Sequence, residues 1–92
     1  MNDIDVKKII KDILDATFQP QFQKAGFRAQ LVEVGNLKGT PTVLIAVYGP
    51  ESLDIMLNDL RKSWEWAFRQ RLKMFNLTVE VVRKEWNNAL DK

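Results

Sequence analysis

Ninety-two residues make one domain, since domains run from about 50 to 250 residues and two cores would need more chain than this. Apolar residues are 46% and charged residues 28% of the composition, a globular balance away from the low-hydropathy, high-charge signature of disorder. The absence of Cys and His excludes thiol and Ser-His nucleophiles, zinc fingers, haem and iron–sulfur ligation and disulfide staples; carboxylates, Lys, Tyr and hydroxyls are what remain for chemistry.

In chain order, Val6, Ile9, Ile10, Ile13, Leu14, Thr17 and Phe18 share one face at helical spacing, with Lys7, Lys8, Lys11, Asp12 and Asp15 outside it. Asn2 or Asp3 can cap this helix. Pro20 ends or kinks it near Gln19, and Gln21 to Ala25 add a turn before Gly26 stops it. Phe27 to Val34 then reads as a strand, alternating until Val32 and Val34 break the pattern, as a bulge would. Gly35 to Pro41 reads as the hairpin loop. Thr42 to Tyr48 is apolar on both faces, the mark of the central strand of a covered sheet.

Gly49-Pro50 precedes the longest element, expected to open with Pro50 as its first helical residue or with Ser52 as cap, and to run to about Phe75 with Asn76 as the stop. On a wheel of 100° per residue, Leu53, Met56, Leu57, Leu60, Trp64, Ala67, Phe68 and Phe75 form its core arc. Arg71 falls in that arc, and either reaches water past the sheet or pairs with Glu33, Glu80 or Glu85. Leu77, Val79 and Val81 alternate with Thr78, Glu80 and Arg83 in a third strand, a sheet edge with one wet face. Trp86, Ala89 and Leu90 give a last short helix its stripe. The expectation is a single α+β domain over residues 1–92: a three-stranded sheet, hairpin plus third strand, covered by helices, in the order helix, strand, strand, helix, strand, helix.

The net charge is +2, unevenly spread: residues 1–60 hold 6 basic and 8 acidic side chains, residues 61–92 hold 8 and 4. An anionic partner would meet the last third. Asp3 and Asp5 stand where a secretory signal has cations, and the longest apolar run, Val43 to Tyr48, is far too short to span a bilayer, so a soluble cytoplasmic protein is expected.

Motifs that carry chemistry are sparse. Gly35 to Pro41 lacks the Walker spacing, with Lys38 ahead of Gly39 and no helix after it. The carboxylate pairs Asp3/Asp5, Asp12/Asp15 and Asp54/Asp59 sit among cations or without a calcium-loop glycine, which is how a solvated helix face reads. Tyr48 reads as a packing residue with its hydroxyl at the rim. No catalytic residue, metal ligand or cofactor site is expected.

The feature that stands out is the far face of the long helix, where Ile55, Asp59, Lys62, Trp66, Arg69 and Lys73 follow one another at i+3 and i+4. A Trp there, flanked by cations, is either covered by another element or a second copy, or meets a protein partner, or stacks on a nucleic-acid base. The order helix, strand, strand, helix, strand resembles type II KH modules, whose RNA-binding Gly-x-x-Gly loop has no counterpart here; nor does any strand carry the paired exposed aromatics of an RRM. The sequence thus points to a small non-catalytic interaction protein, an adaptor, assembly factor or inhibitor of the kind phages and mobile elements also carry. It would bind a protein partner or its own copy through Ile55, Lys62, Trp66, Arg69 and Lys73. The alternative is an RNA- or DNA-binding module using the basic last third.

Overall fold

In the computed structural model, which describes residues 3–37 and 40–85, the first apolar stripe forms helix α1 (Asp3–Ile13), widens into a π turn (Leu14–Phe18) and continues as α2 (Gln19–Ala25). Pro20 is the local cause of the π turn: it has no N–H to donate, and its ring crowds the carbonyl four residues back. The chain instead bonds the Gln19 N–H to the Leu14 carbonyl, five residues back, and places Pro20 in the first turn of α2, where its missing donor costs nothing. Val6, Ile10, Ile13 and Leu14 are buried as their spacing predicts. Thr17, expected with them, is exposed, because the wider turn changes the angular step between residues.

Gly26 closes α2 in the left-handed region, at φ 90°, which a residue with a Cβ enters only at a cost. The Phe27 N–H reaches the Phe22 carbonyl at 3.0 Å and the two rings stack at 4.6 Å between centroids, a Schellman closure with its hydrophobic contact.

Strands β1 (Arg28–Leu37) and β2 (Thr40–Tyr48) form an antiparallel hairpin, and β3 (Thr78–Lys84) lies parallel to β2 on its other side. The register shifts between Leu31 and Glu33, so Val32 is the extra residue of the bulge. The hairpin connection is shorter than expected: Gly35, Asn36 and Leu37 pair with Thr42, Pro41 and Thr40. Pro41 fits there because β3 pairs with β2 only from Thr42 onward, so the missing N–H breaks no second ladder. The outer edge of β1 is partly closed by a side chain, since the Gln19 amide donates to the Ala29 carbonyl and accepts the Ala29 N–H.

The long element is two elements. Pro50 is extended (φ −70°, ψ 162°) and precedes a 3₁₀ helix (Glu51–Met56) containing Ser52; helix α3 (Leu57–Leu72) follows and stops at Lys73, left-handed at φ 59°. Pro50 is therefore not the first helical residue, Ser52 is not a cap, and the stop precedes Asn76. Two residues of the expected core arc move out as a result. Met56 is 43% exposed, since a 3₁₀ helix advances a third of a turn per residue and shifts the phase, and Phe75, past the helix end, is 65% exposed. Leu72 is buried in their place. Arg71 reaches water.

The connection β2–α3–β3 puts α3 on the same side of the sheet as α1 and α2. Trp64 and Phe68 of α3, Ile10 of α1 and Val43, Ile45 and Val47 of β2 are all fully buried in one cluster. Thr42, Leu44, Ala46 and Tyr48 alternate with these β2 residues on the other side of the strand, where Ala46 has no exposed surface and the other three are half-buried. The expectation that Arg83 lies on the wet face of β3 is corrected. Arg83 falls in phase with Val79 and Val81 opposite Val47, and its guanidinium bonds Asp54 at 2.7 Å and Glu85 at 3.2 Å. These hydrogen bonds, the one to Asp54 foremost, raise its pKa above the ordinary arginine value. The last expected helix, with Trp86, Ala89 and Leu90, lies outside the described residues. Among those described, no helix is long and apolar enough to cross a membrane.

Candidate docking face

Trp64 and Trp66 are two positions apart on α3, about 200° around the axis, and their surroundings are opposite. Trp64 has no exposed surface; it packs edge-on to Phe18 and Phe22, with centroids 5.9 and 5.7 Å away. Its indole N–H is buried with no hydrogen-bond acceptor among the described residues. Trp66 is 67% exposed. No described element covers it. It forms one wall of an open groove of about 290 Å³ whose other sides are Ile13, Thr17, Ala67, Gln70 and Arg71. The groove lies where the π turn leaves α1, so the Pro20-driven widening helps to shape the surface beside Trp66.

The rest of the expected stripe is only partly continuous with Trp66. Ile55 is 87% exposed, but it sits on the 3₁₀ helix rather than on α3. Asp59 and Lys62 are exposed on the first turns of α3, and Lys73 is exposed at its left-handed end. Arg69 is turned inward: its Nε donates to the Leu77 carbonyl at 2.7 Å and its Nη2 lies 3.3 Å from Glu65. Glu65 in turn accepts the Val79 N–H at 2.9 Å and pairs with Arg61 at 2.8 Å. This Arg61–Glu65–Arg69 row satisfies backbone groups on the outer edge of β3 and ties α3 to it. Gln70, Arg71, Ile13 and Thr17 belong to the surface around Trp66 and were not among the expected binding residues. Pro20, which sets the π turn, was their one visible signal.

A second hollow, of about 490 Å³, lies between the π turn and β1, with Lys11, Asp15, Gln19, Arg28 and Tyr48 among its walls. Its neutral polar groups are already paired, Gln19 with Ala29 and the Tyr48 hydroxyl, as donor, with Gln30 at 3.0 Å. The Tyr48 hydroxyl at the rim is where the sequence reading put it. Among the described residues, no three acidic side chains gather in a metal-holding group, and Asp54 of the expected carboxylate pair is taken by Arg83.

A scan against protein-family models finds no match, and searches of curated proteins and of solved structures find none either.

Proposed function

We propose that this chain is a non-catalytic interaction domain that docks a protein partner on the outer face of α3, around Trp66 and the groove beside it. The observation that carries the reading is the two-thirds exposure of Trp66 on a groove wall built by two helices. An indole is costly to leave in water and contributes a large contact area when covered, and Trp is among the side chains most enriched where binding energy concentrates. Lys62 and Arg71 are exposed on the same helix and Lys73 at its end, so the fitting partner presents an apolar side chain to the groove with acids at its rim.

The pairing of cations favours protein over nucleic acid. Of the basic residues in the last third, Arg61, Arg69 and Arg83 are spent on Glu65, Asp54 and Glu85, which thins the field a polyanion would need. The test is retention from a native lysate, with and without nuclease, on wild type and on Trp66→Ala, with light scattering for oligomeric state. The reading expects a protein retained regardless of nuclease and lost with Trp66→Ala. Retention that vanishes on nuclease treatment would transfer the function to nucleic acid, and loss of a homodimer in Trp66→Ala would make the partner a second copy.

A further inference from the structure

The sheet face turned away from the helices is sorted by charge. The register Arg28–Tyr48–Lys84 lays a row with a cation on each flanking strand. Four residues along β2, Glu33–Leu44–Glu80 lays a row with an acid on each. Between the rows lie Gln30, Ala46 and Val82, and the bulge adds Val32; Ala46 has no exposed surface, so Val32 and Val82, 48% and 40% exposed, are the apolar side chains open there. Arg28, Glu33, Glu80 and Lys84 are exposed, and none of them appears in an ion pair among the described residues. A strand that is wet on one face alternates polar with apolar residues, yet β2 is apolar from Val43 to Tyr48 without a break.

We propose that this face pairs with the same face of a second copy of the chain, about a two-fold axis that passes over Ala46 at right angles to the strands. Such an axis reverses the strand direction while keeping β1 over β1 and β3 over β3. The basic row of each copy then meets the acidic row of the other: Arg28 faces Glu33 and Lys84 faces Glu80, each pair twice, with Val32 and Val82 as the exposed apolar side chains between them. A two-fold axis along the strands would set Arg28 against Lys84 and Glu33 against Glu80, so the charges select one arrangement. Self-complementarity of this kind is what a closed dimer requires, and like charges brought opposite one another suppress the wrong register. The face measures about 23 Å along the strands by about 14 Å across them, a small footprint that places the dimer at the weak, concentration-dependent end of stable pairs. Trp66 lies on the opposite side of the molecule, so the dimer would carry two free docking faces.

The test is sedimentation equilibrium of the full chain from about 1 µM to about 1 mM, a range that brackets weak dimers, with circular dichroism to confirm that every variant is folded. Wild type is expected to move from monomer to dimer across this range. The all-acidic face of R28E/K84E and the all-basic face of E33K/E80K should each weaken self-association by about tenfold or more. An equimolar mixture of the two should restore the dimer mass, and so should the fourfold swap R28E/K84E/E33K/E80K alone, which only exchanges the rows. Trp66→Ala should dimerise as wild type does. The proposal is overturned by wild type that stays monomeric throughout, by charge variants that dimerise unchanged, by a swap that stays monomeric while folded, or by a dimer that disappears with Trp66→Ala.

Discussion

Replacing Trp64 and Trp66 by Ala, one at a time, tests the register of α3 and hence which face is free. Trp64 is fully buried against Phe18 and Phe22, and emptying such a site costs about 3 to 5 kcal/mol in lost transfer energy and cavity. The orphaned indole N–H lowers that figure toward 3, because its removal ends an unpaid desolvation of about 1 to 3 kcal/mol. A domain this size is stable by about 5 to 14 kcal/mol, and each lost kcal/mol lowers the midpoint by about 4 to 8 °C, so Trp64→Ala should melt at least about 12 °C early. Trp66, two-thirds exposed, should cost within about 0.5 kcal/mol. Urea titrations followed by far-ultraviolet circular dichroism compare the two without depending on the missing fluorophore, and a steady slope with denaturant confirms that both lose the same cooperative unit. Equal losses, or a larger one for Trp66, would refute the assigned register.

Three further substitutions probe the contacts that hold the elements in place. Glu65→Ala leaves the Val79 N–H without its side-chain acceptor and should cost about 1 to 3 kcal/mol, whereas Arg61→Ala, a third exposed at its side chain, should cost under about 1 kcal/mol; denaturant midpoints separate them. Gln19→Glu keeps the acceptor for the Ala29 N–H but sets a carboxylate against the Ala29 carbonyl, which raises the new group's pKa in the folded state. Its penalty should therefore be small below about pH 4, near the unfolded carboxyl pKa, and grow as the pH rises; a melting-temperature difference from wild type that stays flat between pH 4 and 7 would rule this contact out. Gly49→Ala would place a Cβ 2.9 Å from that of Phe27 and against the Leu53 side chain, an overpacking cost of about 1 to 3 kcal/mol measurable by thermal melting.

Local pattern carried much of this fold. The stripe from Val6 to Leu14, the apolar run of β2 and the broken alternation at Val32 each announce an element through spacing alone, because burial on one side imposes the period. The departures arise where distant residues decide. Whether Glu51 to Met56 winds as 3₁₀ or α is not set by its apolar spacing, and the choice moved Met56 out of the core. Arg69 looked like a free cation on an outer stripe; its inward turn depends on β3 arriving beside α3, which a helical wheel cannot contain. Arg83 was assigned to the wet face although its even spacing from Val79 and Val81 already placed it with them. The exposure of Trp66 agrees with its wheel position, but the groove beside it comes from a π turn, and Pro20 was its only trace in the sequence.

The central claim is that the Trp66 face meets a protein. A photoreactive benzoylphenylalanine placed at position 66 keeps an aromatic ring there, and one at the exposed Lys24 of α2 serves as the control site. In nuclease-treated native lysate, irradiation should yield a discrete protein adduct from position 66 and none from position 24. No adduct at 66, or the same adducts from both positions, would contradict the account.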